Sequence, residues 1–263
     1  MNEVLGYFSA LIIGLVLGLI GGGGSILTVP VLVYLLGINP VIATAYSLFI
    51  VGTTSAFGTI LNLKKGLVEL KTGIKFAIPS LIAIYFTRKF LIQLIPEKLF
   101  SVGEFILTKN FFLMALFAIV TMLASFSMIY GKKEKPDSEI KPNVFITFFQ
   151  MIIVGIIIGL IGAGGGFLFI PALMKIAKLP IKKAVGTSVF IIAINSLIGF
   201  SGDICNINPD WGFLLIFTLI SIFGIFAGIY VNKFINEKNL KKSFGWFVLF
   251  MSFFILAKEI FFK

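Results

Sequence analysis

Two glycine runs stand where this chain could do chemistry. Gly21-Gly22-Gly23-Gly24-Ser25 and Gly162-Ala163-Gly164-Gly165-Gly166 each interrupt a long apolar stretch. Glycine in a helix interior costs about 1 kcal/mol relative to alanine, so a cluster should unwind the helix. Unwound backbone inside an apolar medium needs protein or a water-filled cavity to satisfy its N–H and C=O groups. The arms after the breaks, 26–36 and 167–177, have 11 residues each. At 1.5 Å per residue such an arm is roughly 16 Å long, about half a bilayer core. Each arm is read as a half-helix with its N-terminus at the break. Free N–H groups and the positive end of the helix dipole make that terminus an anion site. Ser47 and Ser55 are eight residues apart in the next span and share a helix face, as do Ser188 and Ser196. Such neutral donors suit an oxyanion that must be released again. The candidate binding set is Gly22, Gly23, Gly24, Ser25, Ser47, Gly164, Gly165, Gly166, Thr187, Ser188 and Asn195. The competing reading is structural. Small residues let helices touch, and interhelical hydrogen bonds contribute about 0.6 kcal/mol each. Gly14, Gly18, Gly155 and Gly159 have small-xxx-small spacing and are read as packing positions.

The elements that must position these residues come as a duplication. Residues 14–32 and 155–173 share 10 of 19 identities at an offset of 141, and 43–58 match 184–199 at 6 of 16. Apolar bias inflates such scores, but not the matched glycines and prolines. Each half reads as a Gly-broken stretch (4–36 and 144–174) followed by three spans. These are 41–63, 73–91 and 110–130, then 182–201, 211–232 and 243–262. Span 73–91 is the weakest, because Arg88-Lys89 at its end would have to snorkel. Residues 92–109 are placed at the membrane interface. The boundaries are a first transmembrane repeat 1–130, a charged linker 131–142 rich in Lys and Pro, and a second repeat 143–263.

Composition requires a bilayer. The 263 residues are 59% hydrophobic and 13% charged, with mean hydropathy +1.09. A soluble domain carries about 25% charge. The net charge of +11 resides largely in lysines of short loops, which points to topology signals and against nucleic acid. One cysteine, Cys205, and no histidine exclude an intrachain disulfide, a Cys/His metal site and Ser-His nucleophilic chemistry. A lone cysteine is expected as a small buried residue, and Asp203 as a solvated carboxylate at the outer end of its span. The first 25 residues carry Glu3 in place of a basic n-region and recur later in the chain, so they are read as mature structure.

Counting Lys and Arg by loop selects the topology. If each broken stretch enters and leaves on one side as a hairpin, the basic residues divide 16 to 6; if each crosses once, they divide 12 to 10. The hairpin arrangement is therefore preferred. It puts both termini outside, and three crossings per half make the two halves opposite in orientation. Inverted repeats of this kind recur in secondary transporters.

The chain resembles the sulfite exporter TauE/SafE family of small permeases. The resemblance is carried by Gly18 to Pro30, Ala43 to Phe49, Gly159 to Pro171 and Ala184-Val-Gly-Thr-Ser-Val-Phe190, and it covers essentially the whole chain. In the first half Ala-Tyr-Ser stands where the family more often has Gly-Thr-Ser. The resemblance implies transport of sulfite, sulfonates or related small organic anions across the cytoplasmic membrane. The expectation is an all-α polytopic membrane protein with two inverted-topology repeats, each a Gly-broken helical hairpin plus three transmembrane helices. It works as a secondary transporter by alternating access, with the anion between the two half-helix N-termini. The alternative is a passive anion channel. Partners are the anionic substrate and the lipid bilayer, with no nucleic acid and no cofactor, and the protein is not an enzyme. A homo-oligomer is open, since Gly224 and Gly228 could pack internally or between protomers.

Overall fold

The computed structural model describes residues 2–102, 105–130, 144–234 and 237–261. The linker 131–142 lies outside the described residues. Helix α1 (Asn2–Ile20) breaks at the first glycine run. Helix α2 (Ser25–Pro30) follows and widens into a π-helical turn, Val31–Leu35. Then come α3 (Pro40–Lys64) and α4 (Leu70–Phe86), the latter prolonged by a second π-helical turn, Thr87–Leu91, into the short α5 (Ile92–Leu94). Strands β1 (Lys98–Val102) and β2 (Phe105–Thr108) precede α6 (Lys109–Tyr130). The second half has α7 (Val144–Ile161), α8 (Gly166–Lys175), α9 (Ile181–Asp203), α10 (Trp211–Val231) and α11 (Glu237–Phe261).

Local signals set the helix starts. Asn39 caps α3, its side chain accepting from the Val41 N–H at 2.9 Å, with Pro40 at the first helical position. Asp210 caps α10 in the same manner, accepting from the Phe213 N–H at 3.1 Å. Five helical stretches among the described residues are long and apolar enough to cross a bilayer: Pro40–Lys64, Leu70–Leu94, Lys109–Phe126, Ile181–Asp203 and Trp211–Val231. Their polarity runs inside out relative to a soluble protein. Leu219, Phe223 and Phe250 point outward, while Ser25, Ser47, Ser55, Ser188, Asn195 and Ser196 are fully buried. A hydrocarbon solvent explains this, because lipid solvates the outer apolar side chains and polar groups must find partners within the protein.

Contacts between helices recur at the offset of 141. Alpha-carbon surfaces of α1 and α10 touch where Gly14 meets Ser221 and Gly18 meets Ile225; α7 and α4 touch where Gly155 meets Ser80 and Gly159 meets Ile84. Each pair is the other shifted by 141 residues. Gly224 and Gly228 also face α1, so their interface is internal. Helices α3 and α9 cross antiparallel, with Leu48 opposite Gly199, Gly52 opposite Ser196 and Leu197, and Gly58 opposite Val189. Helices α6 and α11 pack together and share a hydrogen bond between the Thr121 and Ser252 hydroxyls at 2.9 Å.

The segment 92–109 holds α5 and an antiparallel hairpin with Lys98 opposite Thr108 and Val102 opposite Phe105, a small addition to an all-α fold. Three sequence expectations need correction, on Arg88, Asp203 and Cys205. Arg88 does not snorkel. It is 0% exposed, because Asp203 offers a closer counter-charge than the interface does. Asp203 is accordingly only 6% exposed and is not a solvated loop carboxylate. Cys205 is exposed, since it falls in the turn after α9 and not on a packed helix face.

Candidate functional site

Both breaks begin in the same way. Gly21 (φ +79°) ends α1 and its equivalent Gly162 (φ +69°) ends α7, each in the left-handed region that side-chain-bearing residues avoid. The chain then reverses. Leu36, at the far end of the first arm, lies against Gly6 near the start of α1, so the first broken stretch is a hairpin. The two hairpin tips meet. A Cβ on Gly22 would fall 2.0 Å from the Gly166 Cα, and a Cβ on Gly166 would fall 2.0 Å from the Gly22 Cα. Backbone touches backbone there, and no larger residue fits. Gly21 lies by Val185 and Ser188, while Gly162 lies by Thr44, the residue equivalent to Val185. Gly164 lies by Val51, Ile192 and the Ser196 hydroxyl.

The amides of Gly22, Gly23 and Gly24 donate to no backbone carbonyl among the described residues, and the same holds for Ala163 and Gly164. The half-helices start beyond them, α2 capped by Gly24 and α8 by Gly165 at φ +73°.

The candidate side chains divide into committed and uncommitted groups. Ser25 Oγ donates to the Gly22 carbonyl at 2.7 Å, tightening the first break itself. Ser188 Oγ donates back to the Val185 carbonyl at 2.8 Å. Thr187 Oγ1 accepts from the Glu69 N–H at 2.9 Å and so ties α9 to the start of α4. Asn195 Nδ2 donates to Ser80 Oγ at 2.7 Å, but its Oδ1 has no partner among the described residues. Ser47 Oγ, Thr54 Oγ1, Ser55 Oγ and Ser196 Oγ are also buried without a partner. A buried unsatisfied polar group costs about 1–3 kcal/mol. Of these groups, the Ser196 hydroxyl on α9 lies against Gly164 in the second break.

A cavity of about 480 Å³ lies beside the first break. Its wall is mostly apolar, with Leu17 and Phe167 among its residues, and its polar members are Asn62, Lys65, Lys182 and Asn232 from the ends of α3, α9 and α10. Of the candidate residues, Gly23 alone lines it; Ser47, Thr187, Ser188 and Asn195 do not. Nearby, Lys183 pairs with Glu69 at 2.5 Å in a half-exposed bridge. Asn232 donates through Nδ2 to the Leu19 carbonyl, holding the last turn of α1 against the cavity.

Sequence reasoning passed over one constellation. Arg88 Nε donates to Asp203 Oδ2 at 2.5 Å, and Nη1 donates to Thr44 Oγ1 and to the Gly159 carbonyl, both at 3.1 Å. An arginine within an apolar span is itself a signal for such a site, because an ionised group at membrane depth requires a partner.

The sulfite exporter TauE/SafE family profile matches residues 7–255. A "probable membrane transporter protein" of Xylella fastidiosa is 27% identical over 255 residues, covering 94% of this chain and 92% of the relative. Another of that description, YunE of Bacillus subtilis, is 28% identical over 269 residues, covering 91% and 92%. One from Methanocaldococcus jannaschii is 39% identical over 109 residues, covering 38% of this chain and 41% of the relative. No solved structure matches the chain. With glycine-broken hairpins buried in a bundle of apolar helices, and a family match along nearly its whole length, the chain belongs to the sulfite exporter TauE/SafE family.

Proposed function

We propose that this protein is a secondary transporter of small sulfur-containing or organic oxyanions that works by alternating access. The observation that carries the reading is the cavity that reaches Gly23 at the first glycine break. Unbonded amides of the break and the N-terminus of the following arm supply positive potential without a fixed charge. The unpartnered Ser196 hydroxyl stands against Gly164 of the second break, and the further unpartnered groups of Ser47, Ser55 and Asn195 lie on the same crossing helices α3 and α9, which suits an anion arriving between the two breaks. A volume of about 480 Å³ accommodates a hydrated sulfite or small sulfonate.

The two halves, 1–130 and 143–263, are read as inverted repeats. The reciprocal contacts of α1 with α10 and of α7 with α4 support a two-fold relation, and the antiparallel crossing of the equivalent helices α3 and α9 supports an axis in the membrane plane. Both termini then lie outside the cytoplasmic membrane. Tyr34, at the outer end of the first hairpin, donates to Glu259 near the C-terminus at 2.9 Å, in keeping with that placement. In this frame the cavity faces the side with the basic loops, and the conformation is open inward.

The test is labelled sulfite flux in proteoliposomes, with and without a pH gradient and with thiosulfate, sulfate and sulfoacetate as competitors. Saturable, competed flux is expected. It should vanish in Gly23→Leu and Gly164→Leu while both variants fold, and fall in Ser47→Ala and Ser196→Ala. Normal flux in both leucine variants refutes the site, and single-channel currents in place of saturable exchange make the protein a channel.

A further inference from the structure

We propose that Arg88 is a second binding point for the transported oxyanion, on the outer side of the glycine breaks, and that Asp203 occupies it in this conformation as a built-in stand-in for the anion. The inference rests on the transporter reading and adds a named residue to it.

The repeat relates two places in the fold. Shifted by 141 residues, Arg88, Asp203, Thr44 and Gly159 become Ile229, Asn62, Val185 and Gly18. The first four form one hydrogen-bonded cluster. The second four all line the cavity beside the first break. The repeat thus relates two places, each built from both halves: one is an open chamber and the other a closed, charged cluster. In a protein whose halves exchange roles, the cluster marks where the chamber of the opposite state would open. Arg88 would then stand on its wall, as Ile229 stands on the wall of the present one.

The pairing itself resembles a site more than a strut. Both Nε and Nη2 of Arg88 approach the same carboxylate oxygen, Asp203 Oδ2. Nη2 has that ionic contact but no hydrogen bond, although the side chain is 0% exposed. The guanidinium edge is shaped to hold two oxygens of one anion in parallel bonds, and Asp203 fills one of the two positions. A sulfite or sulfonate group, with its oxygens on one centre, can fill both. Thr44 Oγ1 and the Gly159 carbonyl hold Nη1 and fix the plane of the fork. Gly162, the first residue of the second break, lies directly against Thr44. Arginine bound there connects the outer chamber to the glycine break. The π-helical turn Thr87–Leu91 that carries Arg88 adds a local irregularity of the kind often found at functional sites.

The neutral pair Arg88→Gln with Asp203→Asn separates a binding site from a strut. Removing both charges of a buried pair is commonly tolerated, whereas removing one leaves the other uncompensated. The double variant is expected to melt near wild type and to lose labelled sulfite flux by about tenfold to a hundredfold, the worth of hydrogen bonds to a charged group. Asp203→Asn alone, with Arg88 freed, is expected to melt lower than wild type in anion-free buffer. Sulfite, thiosulfate or sulfoacetate should restore it at lower concentration than they stabilise wild type, and should give the double variant no such added shift. Wild-type flux and KM in the double variant overturn the inference and leave the transporter reading standing. If wild type carries none of these anions, the transporter reading falls. The melting of Asp203→Asn then decides the inference alone: rescue absent from the double variant upholds an oxyanion site at Arg88, and no rescue removes it.

Discussion

Replacing Gly166 by alanine tests whether contact between the two hairpin tips matters for transport. The new Cβ falls 2.0 Å from the Gly22 Cα and 2.4 Å from Ile192 Cδ1. The isoleucine methyl can rotate away, but the glycine backbone cannot. Ordinary contact begins at 3.4 Å, so the tips must part by about 1.4 Å. Overpacking of this kind costs about 1–3 kcal/mol, which corresponds to roughly 5- to 150-fold in the population of the closed-tip arrangement. A change of that size lowers Tm by roughly 3–10 °C in a chain of this length. The assay pairs thermal melting of purified protein with sulfite flux in proteoliposomes. Gly37→Ala is the control: Gly37 has φ +70° but nothing within 4 Å of an added Cβ, so it isolates backbone strain of about 1–2 kcal/mol from contact. Gly166→Ala is expected to lose about fivefold or more in flux, and Gly37→Ala to keep it. If Gly166→Ala melts and transports like wild type, the tips are not in contact in the working protein and the reasoning fails.

Two further outcomes follow from the geometry. Cys205 is exposed in the turn between α9 and α10, so a membrane-impermeant maleimide added outside intact cells should label it; labelling only after permeabilisation would reverse the proposed orientation. Thr187→Val removes the acceptor of the Glu69 N–H and should destabilise by about 1–2 kcal/mol with the KM for sulfite unchanged, because that hydroxyl is already committed; a raised KM in a variant of normal stability would return Thr187 to the binding set.

Much of the architecture is legible in the order of residues. Apolar composition demands a bilayer, glycine clusters demand helix breaks, and lysine placement favours hairpins over crossings. These are properties of the local chain and its solvent, so no tertiary knowledge is needed to read them. The packing role of Gly14 and Gly155 can be read as a spacing, but their partners Ser221 and Ser80 cannot, since nothing local says which helix will arrive.

The candidate site shows where local reading ends. A buried hydroxyl looks alike in sequence whether it is committed or free. Only the fold assigns Thr187 to Glu69 and Ser25 to the Gly22 carbonyl while leaving Ser47, Ser55 and Ser196 without partners. Likewise, Arg88 at the end of an apolar span suggests snorkelling when taken alone, because the energetic alternative lies 115 residues away at Asp203. Sequence alone determined the solvent of this protein, its duplicated plan and the positions of its breaks, since each depends on short-range composition and period. Tertiary structure alone decided which charges pair, which hydroxyls remain free and which of two repeat-related places is the open chamber, since each depends on contacts between segments that the chain keeps far apart.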